Sequence, residues 1–265
     1  MITFGSLSFP APDFGYKTKI EMPLDILETD DGNIAQRDEG TQFDKRLCTI
    51  DLILTETEMA ALNNLISNSS RGQNIVLTLP SNSGFFPFGP DKGDTGNFTV
   101  AARIVTTGRI QDNPFRKFKV QLALLNVGTY PSYSLPVQVN EGAFTFGSIS
   151  CLRQPNALFQ PDQVYNVSVD FTENSTPMYT DRGQLADYAV TKMSMPCNES
   201  KAAALLDYLI STARVNDIPM ITPDYFYPFG RDHASPFTVQ LSSAIIETTH
   251  ENYDKFNFEL SLRLK

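Results

Sequence analysis

The sequence predicts a mainly β protein of the α+β kind: two antiparallel β-sandwich or split-barrel domains in tandem, each carrying one amphipathic helix. Three observations carry that expectation. They are an internal repeat, stretches whose apolar residues alternate with period two, and one segment of helical period in each copy.

The repeat comes first because it organises the rest. Thr3-Phe4-Gly5-Ser6-Leu7-Ser8 recurs as Thr145-Phe146-Gly147-Ser148-Ile149-Ser150. Leu62, Leu65, Ile66 and Ser67 recur as Leu206, Leu209, Ile210 and Ser211. Phe86-Pro87-Phe88-Gly89 recurs as Tyr227-Pro228-Phe229-Gly230, and each is followed after a polar loop by Phe-Thr-Val, at Phe98-Thr99-Val100 and Phe237-Thr238-Val239. Lys117-Phe118-Lys119-Val120-Gln121-Leu122 is matched with Lys255-Phe256-Asn257-Phe258-Glu259-Leu260. Order is preserved throughout, which points to duplication. The Pro/Ser segment Pro131-Ser132-Tyr133-Ser134-Leu135-Pro136 reads as the linker, giving domains at 1–134 and 135–265.

Within each copy, period two marks half-buried strands at Lys17–Met22, Cys48–Leu54 and Phe118–Leu124. Their counterparts in the second copy include Val164–Val169 and Phe256–Leu262. The period then switches. Thr55 with Glu58 fits a capping box, Met59, Leu62, Leu65 and Ile66 fall on one helix face, and Arg71-Gly72 closes the segment. In the second copy Asn198 is the N-cap, and Leu205, Leu206, Leu209 and Ile210 form the stripe.

Composition bounds the function. A net charge of −9 and a pI near 4.7 exclude a protein that grips nucleic-acid phosphates through clustered Lys and Arg. The first half, through Pro136, carries 12 Lys and Arg against 15 Asp and Glu, and the second 9 against 15, so both halves are acidic. Such a surface keeps a protein soluble, and it also suits the wall of a conduit through which DNA slides. No apolar run is long enough to span a membrane, and the opening residues lack the basic start and apolar core of a signal peptide, so folding in a cytoplasm is expected. Cys48, Cys151 and Cys197 are odd in number, show no CxxC spacing and read as free thiols.

Catalytic signals are sparse, and the expectation is of no enzyme, no metal and no cofactor. His233 and His250 are too few and too isolated for a zinc cluster. Arg231-Asp232-His233 offers an imidazole for base catalysis, but the matching loop of the first copy has Pro90-Asp91-Lys92 and no His. Gly5-Ser6-Leu7-Ser8 and Gly147-Ser148-Ile149-Ser150 lack the second glycine of a nucleophile elbow and read as first strands. The oxygen-rich runs Glu28–Asn33 and Asp91–Asn97 read as turns, without the spacing of a calcium loop. The Asn-x-Ser/Thr triplets, as at Asn68, carry no weight without a secretion signal. The aromatic loops Gly84–Gly89 and Tyr225–Gly230 either plug the end of their own core or anchor a neighbouring subunit, and Phe86, Phe88, Tyr227 and Phe229 are the candidate interface aromatics.

A domain that opens with a short strand such as Ile2-Thr3-Phe4-Gly5, runs through alternating strands, inserts one helix and closes on two long strands resembles the tail-tube domain of long-tailed phages. That domain also occurs in distal-tail and baseplate-hub proteins. The resemblance implies sheets that join across subunits into a ring around a DNA channel. A duplicated chain would form a trimer with pseudo-six-fold symmetry, with a hexamer as the alternative, acidic in its lumen. DNA would pass the lumen without specific binding, neighbouring tail-tube or baseplate proteins would be the partners, and the location would be the virion, assembled in the host cytoplasm. Two other classes compete: a tandem β-sandwich that binds a host glycan or surface protein, and a hydrolase using His233 or a carboxylate pair between the domains.

Overall fold

In a computed structural model, residues 1–28, 34–39, 44–69, 72–109, 115–125, 144–151, 156–164, 167–171, 177–181, 188–223, 227–229, 235–252 and 254–265 are described. The first half runs β1 (Ile2–Phe4), β2 (Leu7–Phe9), β3 (Lys17–Glu21), β4 (Leu24–Glu28), β5 (Ile34–Asp38), β6 (Lys45–Thr55), α1 (Glu56–Asn68), β7 (Ile75–Leu79), β8 (Gly96–Arg109) and β9 (Phe115–Leu124). The second runs β10 (Phe144–Phe146), β11 (Ile149–Cys151), β12 (Asn156–Val164), β13 (Val167–Phe171), β14 (Pro177–Asp181), β15 (Tyr188–Cys197), α2 (Glu199–Tyr208), β16 (Ile218–Ile221), β17 (Phe237–Leu241), β18 (Ile245–Asn252) and β19 (Lys255–Leu264). The chain is mainly β, as the alternation predicts, and the described pairings are antiparallel. The Pro131–Pro136 linker lies outside the described residues.

Most strands join in one sheet of fifteen, along the path β11-β10-β16-β17-β19-β18-β3-β6-β9-β8-β7-β1-β2, with β15 on β19 and β12 on β15. The halves repeat the same pairings: β6 on β9 answers β15 on β19, and β3 on β6 answers β12 on β15. Hairpins β4-β5 and β13-β14 stand off the sheet. β8 of the first half is one strand with an irregularity between Ile104 and Thr106, whereas its counterpart is divided into β17 and β18 at Ser242–Ala244.

Helix caps and registers correct two of the sequence matches. Capped at Thr55 and Asn198, the helices align Leu62 with Leu205, so the match of Leu62 with Leu206 is out by one residue. Val100 faces Leu124 while Val239 faces Leu264, and Leu54 faces Arg116 while Cys197, at the matching place before the helix cap, faces Phe256. Phe118 therefore corresponds to Phe258, and the match of Lys117–Leu122 with Lys255–Leu260 is out by two residues. Likewise Lys17 opposite Thr49 answers Gln160 opposite Lys192, so the end of β12 takes the place of β3. Val164–Val169 is not one strand but spans the end of β12 and the start of β13.

Gly5 and Gly147 sit at φ of 59° and 60° in the tight turns β1-β2 and β10-β11, so both Gly-Ser segments are hairpin turns between strands rather than strand interiors. A Cβ on Gly147 would lie 2.2 Å from the Tyr208 ring. On β6, Arg46, Cys48, Ile50, Leu52 and Leu54 are all buried on one period-two face, and α1 packs on β6. The core divides into two clusters, one around Ile2, Phe4, Leu62, Phe88 and Val100, the other around Phe146, Leu205, Phe229, Val239 and Phe258. Among the described residues no helix is long and apolar enough to cross a membrane.

Both helix starts follow the sequence signals. Glu58 N–H donates to Thr55 Oγ1 at 3.3 Å, and Thr55 N–H donates to Glu58 Oε2 at 2.8 Å. Asn198 Oδ1 accepts from Lys201 N–H at 3.0 Å. The bonds from Thr55 hold the Glu58 carboxyl below the usual carboxylate range. A group depressed in this way stabilises the fold above its unfolded value, and the contribution is lost as pH falls through the folded one. Thr55→Ala is expected to cost about 1 kcal/mol near neutral pH and less in acid, where Glu58 is protonated in both proteins; denaturant titrations at the two pH values check this.

Candidate functional site at the seam between the halves

β3 uses both of its hydrogen-bonding edges. On one it pairs with β6, and on the other with β18 of the second half, from Ile245 opposite Glu21 to Thr249 opposite Lys17. Further backbone bonds lengthen this second ladder. Met22 N–H donates to Ala244 O at 2.9 Å, His250 N–H to Tyr16 O at 3.2 Å, and Gly15 N–H to His250 O at 2.7 Å. Behind it, Ile20, Met22 and Leu24 belong to the core cluster of the second half. Gln36 donates to Leu241 O at 2.9 Å, and Arg214 pairs with Asp38 at 3.1 Å, so β5 is tied across as well.

The first aromatic loop straddles this seam. Phe85 and Phe88 belong to the first-half cluster, while Phe86 belongs to that of the second. Phe86 meets Phe256 edge-on at 5.3 Å and His250 at 5.5 Å; His250 stacks on Phe256 at 4.4 Å. Tyr16 OH accepts from Phe86 N–H at 2.8 Å and lies 2.5 Å from His250 Nδ1. Burial pushes the Tyr16 phenol well above its ordinary range, so it keeps its proton.

A buried cation fixes the rest of the loop. Arg46, 2% exposed, donates to Phe88 O at 2.6 Å and to both oxygens of Asp91 at 2.5 and 2.7 Å, and pairs with Asp44. Burial alone would lower its pKa, but the Asp91 and Asp44 carboxylates more than offset that and raise it. Thr18 Oγ1 donates to Pro87 O at 3.0 Å. So held, the 3₁₀ turn Pro90–Lys92 packs on α2 of the other half, closely enough that a Cβ on Gly89, at φ 102°, would sit 2.9 Å from Leu206.

These contacts place the sequence candidates. Phe86 is at the seam, while Phe88 and Phe229 are each 0% exposed inside the cluster of their own half. Tyr227 is half-buried. Tyr225, Phe226 and Arg231-Asp232-His233 lie outside the described residues, as does most of the Glu28–Asn33 run. Asp91 is committed to Arg46, and Asp94 accepts from Gly84 N–H at 2.9 Å, so these carboxylates fasten the loop.

Sequence reading missed Arg46, Tyr16 and His250. For two of them a signal existed: Arg46 occupies a core-facing position of β6, and His250 one of β18, where period two asks for an apolar side chain. A polar residue there must find a buried partner.

Among the described residues no three His, Cys, Asp or Glu come together for a metal. Burial pushes the Cys48 thiol up to about 12, which keeps it protonated. The solvent face of the sheet carries two open grooves, about 550 Å³ beside Lys192, Glu247 and Glu259 and about 580 Å³ beside Lys17, Asp51 and Lys119. Charges of both signs meet across its strands: Glu259 faces Glu247, which faces Lys19, and Asp51 faces Lys119. In comparisons with known proteins, no family model matches the chain and no curated protein matches it.

Two substitutions test the seam. Arg46→Ala strands the Asp91 carboxylate in the interior and is expected to cost about 3–5 kcal/mol. Tyr16→Phe leaves Phe86 N–H without its acceptor and is expected to cost about 1–3 kcal/mol. Chemical denaturation measures both, and a loss under half a kcal/mol for either would remove that residue from the account.

Proposed function

We propose that the chain is a structural ring component of a bacteriophage tail, in the tail tube or the baseplate hub. In this reading the two halves are tandem tube-like domains, 1–134 and 135–265, and three copies build a ring with six similar positions around a DNA channel. The single observation that carries it is the β3·β18 seam. Matching halves meet there through unlike surfaces, the β18 edge of one on the β3 edge of the other.

Contacts between unlike surfaces leave one of each free at the two ends. Copies then add head to tail until a ring closes or a filament runs on. Closure also disposes of sheet edges that would otherwise recruit stray strands. A polar face of mixed charge, with Glu247 opposite both Glu259 and Lys19, gives DNA no continuous basic track to bind, which suits passage without specific contact. The phage assignment draws on the resemblance in element order; the virion is the location it implies, with neighbouring tail proteins above and below.

Light scattering with negative-stain imaging of the same peak tests this. Rings with a central hole and three chains each are the expected result. A monomer that forms no ring on any tail component would replace this reading with the binding module.

A further inference from the structure

The seam inside the chain uses one copy of each of two surfaces, and the repeat supplies a second copy of both. Among the described residues, β12, which stands where β3 stands, pairs only with β15. Among the described residues the end of β8 beyond Ala102, which stands where β18 stands, likewise pairs only with β9. Up to that point its outer edge is taken, by β7 and by a bond from Ala102 N–H to Gly72 O of 2.7 Å. The free stretch is therefore the one that answers the seam-forming strand of the other half.

The helices show the same asymmetry. Their caps, Thr55 and Asn198, align Ala60 with Ala203 and Asn63 with Leu206. Ala203 and Leu206 are buried, and the Gly89 turn of the first half lies against Leu206, whereas Ala60 and Asn63 are exposed. Phe86 is 3% exposed because His250 and Phe256 cover it; Tyr227, its match, is half-buried. One end of the chain thus lacks a donor edge with its aromatic loop, and the other lacks a receiving strand end with its helix face.

We infer that a second copy of this chain fills them: β12 of one copy pairs antiparallel with the Thr106–Arg109 end of β8 of the next, in the register of the internal seam. This deepens the ring reading and rests on it. Aligned on β9 and β19, Thr106 answers Glu247 and Gly108 answers Thr249; aligned on β6 and β15, Asp162 answers Lys19 and Gln160 answers Lys17. The seam pairs Glu247 with Lys19 and Thr249 with Lys17. Between copies Thr106 therefore lies opposite Asp162, Thr107 opposite Pro161 and Gly108 opposite Gln160.

Pro161 fits such an edge and sets its strength. It answers Thr18, and the bonds of Tyr16 O and Met22 N–H to the second half show that even-numbered residues of β3 turn their backbone groups toward β18. At Pro161 the outward donor is missing, as edge positions allow. The ladder between copies has one bond fewer there than the internal one, so the internal seam outlasts it when assemblies are diluted.

The test mixes full-length Thr106→Cys with full-length Asp162→Cys under mild oxidation, so that only a bond between copies can join the two sites. Opposed residues of a non-hydrogen-bonded antiparallel pair approach closely enough for a disulfide. The expected result is a covalent dimer whose digest contains the 106–162 link, absent when either variant is oxidised alone. Gly108→Cys with Gln160→Cys repeats the test should the first pair not fold. Rings that form without either link overturn the register and leave the ring reading standing. Absence of both link and self-association in light scattering overturns both.

Discussion

A strand in the middle of a sheet must have partners on both edges, and β3 finds its second partner in the other half of the chain. That one requirement organises the molecule. With β18 on its outer edge, β3 and the residue after it can place Ile20 and Met22 in the second-half core while Cys48 and Ile50 of the adjoining β6 serve the first. The break at Ser242–Ala244, which divides β17 from β18 where β8 runs on, accompanies β18's pairing with β3. The loop that carries Phe86 must then cross the same line, and Arg46 and Tyr16 are the buried polar groups that hold it there.

The energetic logic is uneven along the seam. Its backbone ladder supplies direction and register, each bond contributing only about 1 kcal/mol net. Apolar burial supplies most of the cohesion, since Ile20, Met22 and Phe86 are removed from water by residues of the other half. Arg46 with Asp91 contributes specificity more than cohesion, because desolvating both charges offsets much of their attraction, while losing one partner leaves the other stranded. An interface built this way provides a pattern that a second copy is proposed to reproduce.

Much of this was legible in the sequence. The alternation at Cys48–Leu54, the capping box at Thr55 and the order of the repeats all appear in the structure as read. The register did not, for a physical reason: an alternating strand looks the same when slid by two residues, so Phe118 matches Phe256 as well as Phe258 until hydrogen bonds decide. Nor was the division of the aromatic loop legible, since Phe85, Phe86 and Phe88 are chemically alike and only the path of the backbone sends the middle ring into the other half. Arg46 and Asp91, 45 residues apart, are joined by tertiary contact alone. The polar residues at core-facing positions of β6 and β18 were the one clue to the site that period two made visible.

The most direct test of the seam is amide hydrogen exchange at Gly15, Met22 and His250, the three donors that bond across it beyond the paired register. If the halves form one body, these amides exchange only with global unfolding, as slowly as those of the β6·β9 ladder. Exchange many-fold faster than that ladder, with each half retaining its own protected core, would show two bodies that merely touch and would contradict the account.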